Sequence, residues 1–178
     1  MSGSAREKRG WGEEYSPEDY RFPELYIEDR TSERSIWVDV ERRKYYRGPV
    51  EGLKRYGLAV YEHAIKESID IVGSKVVRSF VVLIPWRGMK GLMLREGTRV
   101  KLVEAAGVQV SHFSLEGTRV GERTVLSYIL TGKGETRTLR AGVEGVVAII
   151  LTDHARHPPA YIYVIADESD IVWLDPAE

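Results

Sequence analysis

Three short stretches hold side chains whose types and spacing could do chemistry. In Thr131-Gly132-Lys133-Gly134 a single lysine stands between two glycines, with strand-like runs on either side. Glycine supplies the positive φ that a tight hairpin needs, so Lys133 is placed at a turn apex whether or not its amine reacts. In Arg42-Arg43-Lys44-Tyr45-Tyr46-Arg47, followed by Lys54-Arg55-Tyr56, cations alternate with aromatics. Cations grip phosphates and rings stack on unpaired bases, so Arg42, Arg43, Lys44, Tyr45, Tyr46 and Arg47 are the candidate nucleic-acid contacts. The same residues also suit a charged strand end and helix face paired with acids such as Glu41 and Glu51. The net charge of -1 favours that second reading. Finally, Asp153, His154 and His157 in TDHARHPP offer a carboxylate and two imidazoles, donors for zinc or another first-row metal. Pro158-Pro159 marks a loop, and exposed loop histidines are common, so no metal is expected there.

Other reactive signatures are missing. The chain has no cysteine, which excludes disulfides, thiol catalysis and cysteine-ligated metal. No Gly-x-Ser-x-Gly elbow occurs. Gly132-Lys133-Gly134-Glu135-Thr136 lacks the first glycine, the Ser/Thr and the following helix of a phosphate loop. Glu13-Glu14 and Asp167-Glu168 fall in tail and turn and read as solvated charge. His63 belongs on a polar helix face beside Glu67, and His112 reads as a strand residue. The expectation is a binding or scaffolding protein, not an enzyme.

The elements that position these residues follow from pattern. With 178 residues the chain can bury a sizeable core. No apolar run approaches the roughly 20 residues of a membrane helix, and MSGSAREKRGWGEEYS lacks a signal peptide's apolar core. A cytoplasmic protein without membrane contact is expected. Asparagine is absent, Gln109 is the only glutamine, and 30% of residues are charged, the composition of a protein from a hot-living organism.

Residues 1–21 are polar and charged and predict a flexible tail, although Trp11, Tyr15 and Tyr20 would also suit docking on a partner. Residues 22–87 predict a small α+β domain. Leu25-Tyr26-Ile27 and the alternation in SIWVDVE read as strands. Val50, Leu53, Gly57, Val60, Tyr61, Ala64 and Ile65 recur at three- and four-residue spacing, which predicts a helix over Pro49 to Ser68. Val76 to Pro85, VVRSFVVLIP, is short, β-branched and almost wholly apolar, so it is placed at the centre of a sheet. After Gly88 the texture changes to short β runs punctuated by glycines. Residues 88–178 therefore predict an all-β domain, ending in two strands around Asp167-Glu168-Ser169-Asp170. The words Gly97–Val100 and Gly117–Val120 are both GTRV, which suggests two quasi-equivalent turns.

Gly117-Thr118-Arg119-Val120, then Leu126-Ser127-Tyr128-Ile129, Thr131-Gly132-Lys133 and Gly145-Val146-Val147 together resemble a biotinyl/lipoyl carrier domain. The resemblance covers about Met89 to Ile150. It implies a barrel-sandwich hybrid for the C-terminal domain and makes Lys133, at an exposed hairpin tip, the candidate modification site. Carriers flank that lysine with Asp-Lys-Ala or Met-Lys-Met, whereas this chain has glycines. Its spacing from Lys133 to Gly145 is one residue longer, and Arg123 replaces a turn glycine. On those departures neither biotin nor a lipoyl group is expected on Lys133. The whole chain also resembles an uncharacterised archaeal family. The expected partner is a protein or a second copy of the chain, with RNA, or a ribosomal particle, on segment 42–56 as the competing reading.

Overall fold

The computed structural model describes residues 22–177. The expected tail, residues 1–21 with Trp11, Tyr15 and Tyr20, lies outside the described residues. The first half holds strands β1 (Glu24–Glu28), β2 (Ser35–Asp39), β3 (Lys44–Tyr46) and β4 (Lys54–Ala59), then a short helix α1 (Glu62–Glu67). Strands β5 (Ile69–Asp70), β6 (Lys75–Val76), β7 (Phe80–Ile84) and β8 (Lys90–Leu94) follow. The second half adds β9 (Lys101–Ala106), β10 (Gln109–His112), β11 (Arg119–Val120) and β12 (Val125–Leu130). It ends with β13 (Thr136–Arg140), β14 (Gly145–Asp153), β15 (Ala160–Ala166) and β16 (Ile171–Pro176).

Seven strands close into a barrel in the order β1-β4-β2-β3-β16-β8-β7. Every pair is antiparallel except β16 with β3. Period-two alternation fills its interior, where Tyr26, Ile36, Val38, Tyr45, Tyr56, Val81, Leu83, Met93, Val172 and Leu174 form one buried cluster. The other face of β7 carries Phe80, Val82 and Ile84. These pack with Leu25, Ile27, Leu92 and Leu94 against Val146, Ile149 and Leu151 of β14 and Ile162, Val164 and Ala166 of β15. Burial on both faces is why Phe80–Ile84 reads as an unbroken apolar run.

Outside the barrel, β5 and β6 pair with each other, and the other strands form two antiparallel sheets, β10-β12-β13 and β11-β14-β15-β9. Between them lies a third cluster that includes Leu126, Ile129, Val147, Tyr163 and Ile165. A register shift between Val147 and Ile149 turns the successive residues Ala148 and Ile149 toward the barrel.

Two expectations are corrected. The N-terminal α+β unit is in fact part of a closed β-barrel, and the C-terminal half is not a separate barrel-sandwich hybrid domain. β8 and β16, both C-terminal to Gly88, are barrel strands, and Gly88 itself lies in the turn joining β7 to β8. The helix over Pro49 to Ser68 is also replaced. Residues 51–53 turn, Lys54–Ala59 is β4, and only Glu62–Glu67 is helical. The spacing of Leu53, Gly57 and Val60 mimics a helix, but Tyr56 and Leu58 face the barrel interior at strand period. The two glycines that weaken a helix have strand-specific work. Gly52 sits at φ +84, and a Cβ on Gly57 would collide with the Arg30 carbonyl oxygen where the β1–β2 connection crosses β4.

The two GTRV words are equivalent turns, as their identity suggests. Gly97 and Gly117 have φ of +91 and +85, and Val100 and Val120 are both buried. Thr98 N–H donates to the Arg95 carbonyl and Thr118 N–H to that of Leu115, each at 3.1 Å. The match extends one residue back, to Glu96 and Glu116.

Gly57→Ala is expected to destabilise the chain by roughly 1–3 kcal/mol, since backbone must move to admit the methyl group. Gly132→Ala, where nothing lies within 4 Å of the new carbon, should stay within roughly 0.5 kcal/mol. Chemical denaturation of both variants checks this; equal losses would refute the close crossing at Gly57.

Candidate functional site

Three turns from two sheets converge on one open cleft of about 520 Å³, lined by Ala106, Gly107, Val108, Gly132, Arg156, His157 and Pro158. Gly107 makes the β9–β10 turn possible, because a side chain there would collide with Ile129 and crowd the Leu130 carbonyl. The Val108 amide then donates to that carbonyl at 2.8 Å and leaves the Val108 side chain 61% exposed. In the β12–β13 turn, Thr131 N–H donates to the Glu135 carbonyl at 2.8 Å, and Gly134 N–H donates to Thr131 O at 3.0 Å. Gly134 takes φ +82, and Lys133 stands exposed at the apex. The β14–β15 loop is shaped by Asp153, whose carboxylate accepts from the Ala155 amide at 3.1 Å, and by an Arg156–Glu104 ion pair.

The structure thus brings two of the expected sites to one end of the molecule: Gly132 and Lys133 beside His157. It does not gather the three metal-donor residues. Asp153 serves its own loop, His157 lines the cleft, and His154 Nε2 meets Glu62 of α1 at 3.2 Å. Among the described residues no group of three or more His, Cys, Asp or Glu is arranged to hold a metal ion. Arg156 and Val108 were not singled out by sequence. Val108 is one apolar residue among many, and only the register of β9 and β10 shows that it sits at a turn.

The basic–aromatic segment is split by strand alternation. Tyr45 lies in the barrel core and donates its hydroxyl to the Met89 carbonyl at 2.6 Å. Arg47 meets Glu24 at 3.3 Å and stands 5.8 Å from the Tyr45 ring. Arg42 lies 3.9 Å from Asp39. Arg43 and Lys44 are exposed, and Tyr46 is half-buried.

His112 is the strand residue the pattern predicts. Its Nδ1 shares a hydrogen bond with the Tyr163 hydroxyl, and its ring meets Tyr161 edge-on at 4.6 Å. Burial pushes the His112 imidazole below its ordinary pKa and the Tyr163 phenol above its own. A second cleft of about 710 Å³ lies between α1, β4 and the first residues of β1, with Thr152 of β14 in its wall. Its polar wall is tied down by ion pairs, Arg34 with Glu24 at 3.3 Å and Arg30 with Glu67. The Arg30 guanidinium holds the Glu67 carboxyl below the usual carboxylate range.

Residues 20–168 match the model of a family described as an uncharacterised protein conserved in archaea, DUF2118. The chain belongs to that family. The DUF2118 match begins ahead of β1 and ends in the turn before β16, so it spans every barrel strand except β16 and both facing sheets. The expected kinship with an uncharacterised archaeal family is met. No curated protein matches the chain in sequence. No helix among the described residues is long and apolar enough to cross a membrane.

One titratable group is set apart by burial. Glu116 is 5% exposed, and desolvation raises its pKa, opposed by its own amide, the Tyr61 side chain and the Ile150 backbone. Over the interval between its unfolded and folded pKa values, the folded chain therefore holds a proton that the unfolded chain has released. Stability contributed by this group falls as pH rises through that interval. Glu116→Gln keeps the shape and cannot ionise. The variant's melting temperature minus that of the wild type should be smallest in acid and climb as pH rises past the ordinary carboxylate range. A difference flat with pH would refute the raised pKa.

Proposed function

We propose that this protein is a non-catalytic binding module that takes a protein partner on the cleft between its three turns. The observation that carries this reading is the convergence of turns from two sheets around Val108, with Arg156 and His157 in the lining and Gly132 beside the exposed Lys133. An exposed apolar side chain rimmed by polar groups suits a partner segment that offers an apolar residue flanked by polar ones. The side chains that resemble catalytic groups have other partners: His112 with Tyr163, His154 with Glu62, Asp153 with its own loop.

A photo-cross-linking residue at position 108 tests this in lysate of the source cell. The control is position 72, whose valine is 98% exposed on the β5–β6 turn, away from the cleft. A discrete product from position 108 and none from position 72 is expected. A product of twice the chain mass would make the partner a second copy. The same products from both positions, or none from 108, would refute the reading.

A second reading has the exposed hairpin apex in its favour: Lys133 carries a biotinyl or lipoyl group, as in the carriers that residues 117–147 resemble. It requires the native protein's intact mass to exceed the sequence mass by that adduct, and Lys133→Arg to remove the excess. The glycine flanks lead us to expect the unmodified mass, which would decide for the binding module.

A further inference from the structure

We infer that the outward face of the three-stranded sheet β10-β12-β13 is a platform for single-stranded nucleic acid. Register places Ser111, Tyr128 and Thr138 side by side across the three strands, on the face opposite the buried Leu126 and Ile129. Phe113 continues the β10 ladder, its amide donating to the Leu126 carbonyl at 2.8 Å. Its ring meets that of Tyr128 edge-on, with centroids 6.2 Å apart. Phe113 is 53% exposed and Tyr128 42%, an unusual outlay of aromatic surface on a face whose other rows hold Gln109, Ser111, Thr136, Thr138 and a half-buried Leu130. Rings that could be buried against protein are instead left half-exposed to solvent among hydroxyls. That is what base stacking with polar edge contacts needs, and it is too polar for a second sheet to pack there.

Charge supplies the other half. No acid stands in the rows of this face, although the chain has 27. Arg140 lies exposed at its margin, its guanidinium steadied at 2.7 Å on the Arg123 carbonyl. No carboxylate of the described residues lies within ion-pair reach of Arg140, Arg123 or Lys133; Arg137 meets Glu135 at 3.7 Å. Since β10 and β13 are both edge strands, a polynucleotide can cross the sheet unobstructed and leave its phosphates beside these cations. The segment at 42–47 lacks this arrangement, because its tyrosine at position 45 is inside the barrel.

The test is fluorescence anisotropy with the full chain and labelled oligouridylate or oligodeoxythymidylate of roughly ten nucleotides, read at about 50 and about 200 mM salt. Saturable binding to a single strand is expected, with the preferred sugar naming RNA or DNA. Tyr128→Ala and Phe113→Ala should each weaken it roughly 5- to 150-fold, while Tyr128→Phe retains it and guards against misfolding as the cause. Arg140→Ala should flatten the logarithmic salt slope by about 0.7, and Arg42→Ala should leave it unchanged. The inference is overturned by absent binding at low salt, by equal binding of a duplex, or by binding that survives both aromatic truncations. It is also overturned if Tyr128→Ala abolishes self-association of the chain in sedimentation, which would assign the face to a second copy.

Discussion

Strand β7 is buried on both faces, and the rest of the chain is arranged to keep it so. Val81 and Leu83 fill the barrel, while Phe80, Val82 and Ile84 meet β14 and β15 on the other side. Each such side chain contributes about 1.5–3 kcal/mol relative to exposure, so the two apolar layers that meet at β7 dominate the stability of the fold. Neither layer can form alone. The barrel does not close until β16 arrives from the C-terminus between β3 and β8, and the outer layer needs the hairpin β14–β15 from the second half. The chain is thus interleaved, with the last strand completing the first structure. A cut at Gly88 would sever adjacent staves and leave Leu25, Ile27 and Phe80 facing water.

Much of this was legible one strand at a time. The alternation in SIWVDVE and the two strands around Asp167–Asp170 appear where pattern places them, while the run expected over Val76 to Pro85 is divided into the end of β6 and Phe80–Ile84 of β7. What pattern could not show was partnership. Nothing in Ile171–Pro176 says that it pairs with β8 and, in parallel, with β3. The helix expected over Pro49 to Ser68 failed for a local reason. Val50, Leu53, Gly57, Val60, Tyr61, Ala64 and Ile65 satisfy a period of 3.6 over the whole stretch, while Tyr56 and Leu58 carry a period of two over its centre. The barrel needs a strand between β1 and β2, and tertiary pairing overrode the weaker helical preference.

The candidate sites divide along the same line. Gly132-Lys133-Gly134 was legible as a hairpin apex because the glycine chemistry of a turn is local. The cleft beside it was not, since Gly107, Gly132 and His157 approach only through two hairpins and the β9–β10 connection between the two sheets. The basic segment at 42–47 looked like alternating cation and ring, but in a strand each neighbour faces the opposite way. Tyr45 therefore went to the core and left the cations outside. Phe113 and Tyr128 show the converse. Each is unremarkable in sequence, and the pairing of β10 with β12 makes them neighbours in the open.

The duplicated turn sharpens this into a physical rule. Residues 96–100 and 116–120 have the same five letters, the same left-handed glycine and the same backbone hydrogen bond. Yet Glu96 is exposed, while Glu116 lies under Tyr61 against β14 with its pKa raised by desolvation. Local sequence fixed the conformation of both turns and the chemistry of neither. What differs is the layer each turn packs on. The first borders β6, two residues long, and remains at the surface. The second lies against the start of β14, its Gly117 amide bonded to the Val147 carbonyl at 2.7 Å. The reactivity of a side chain in this fold is therefore set by which apolar layer lies beneath it, and the same test applies to Lys133: its turn is a plain hairpin, and its chemistry depends on what approaches from the cleft.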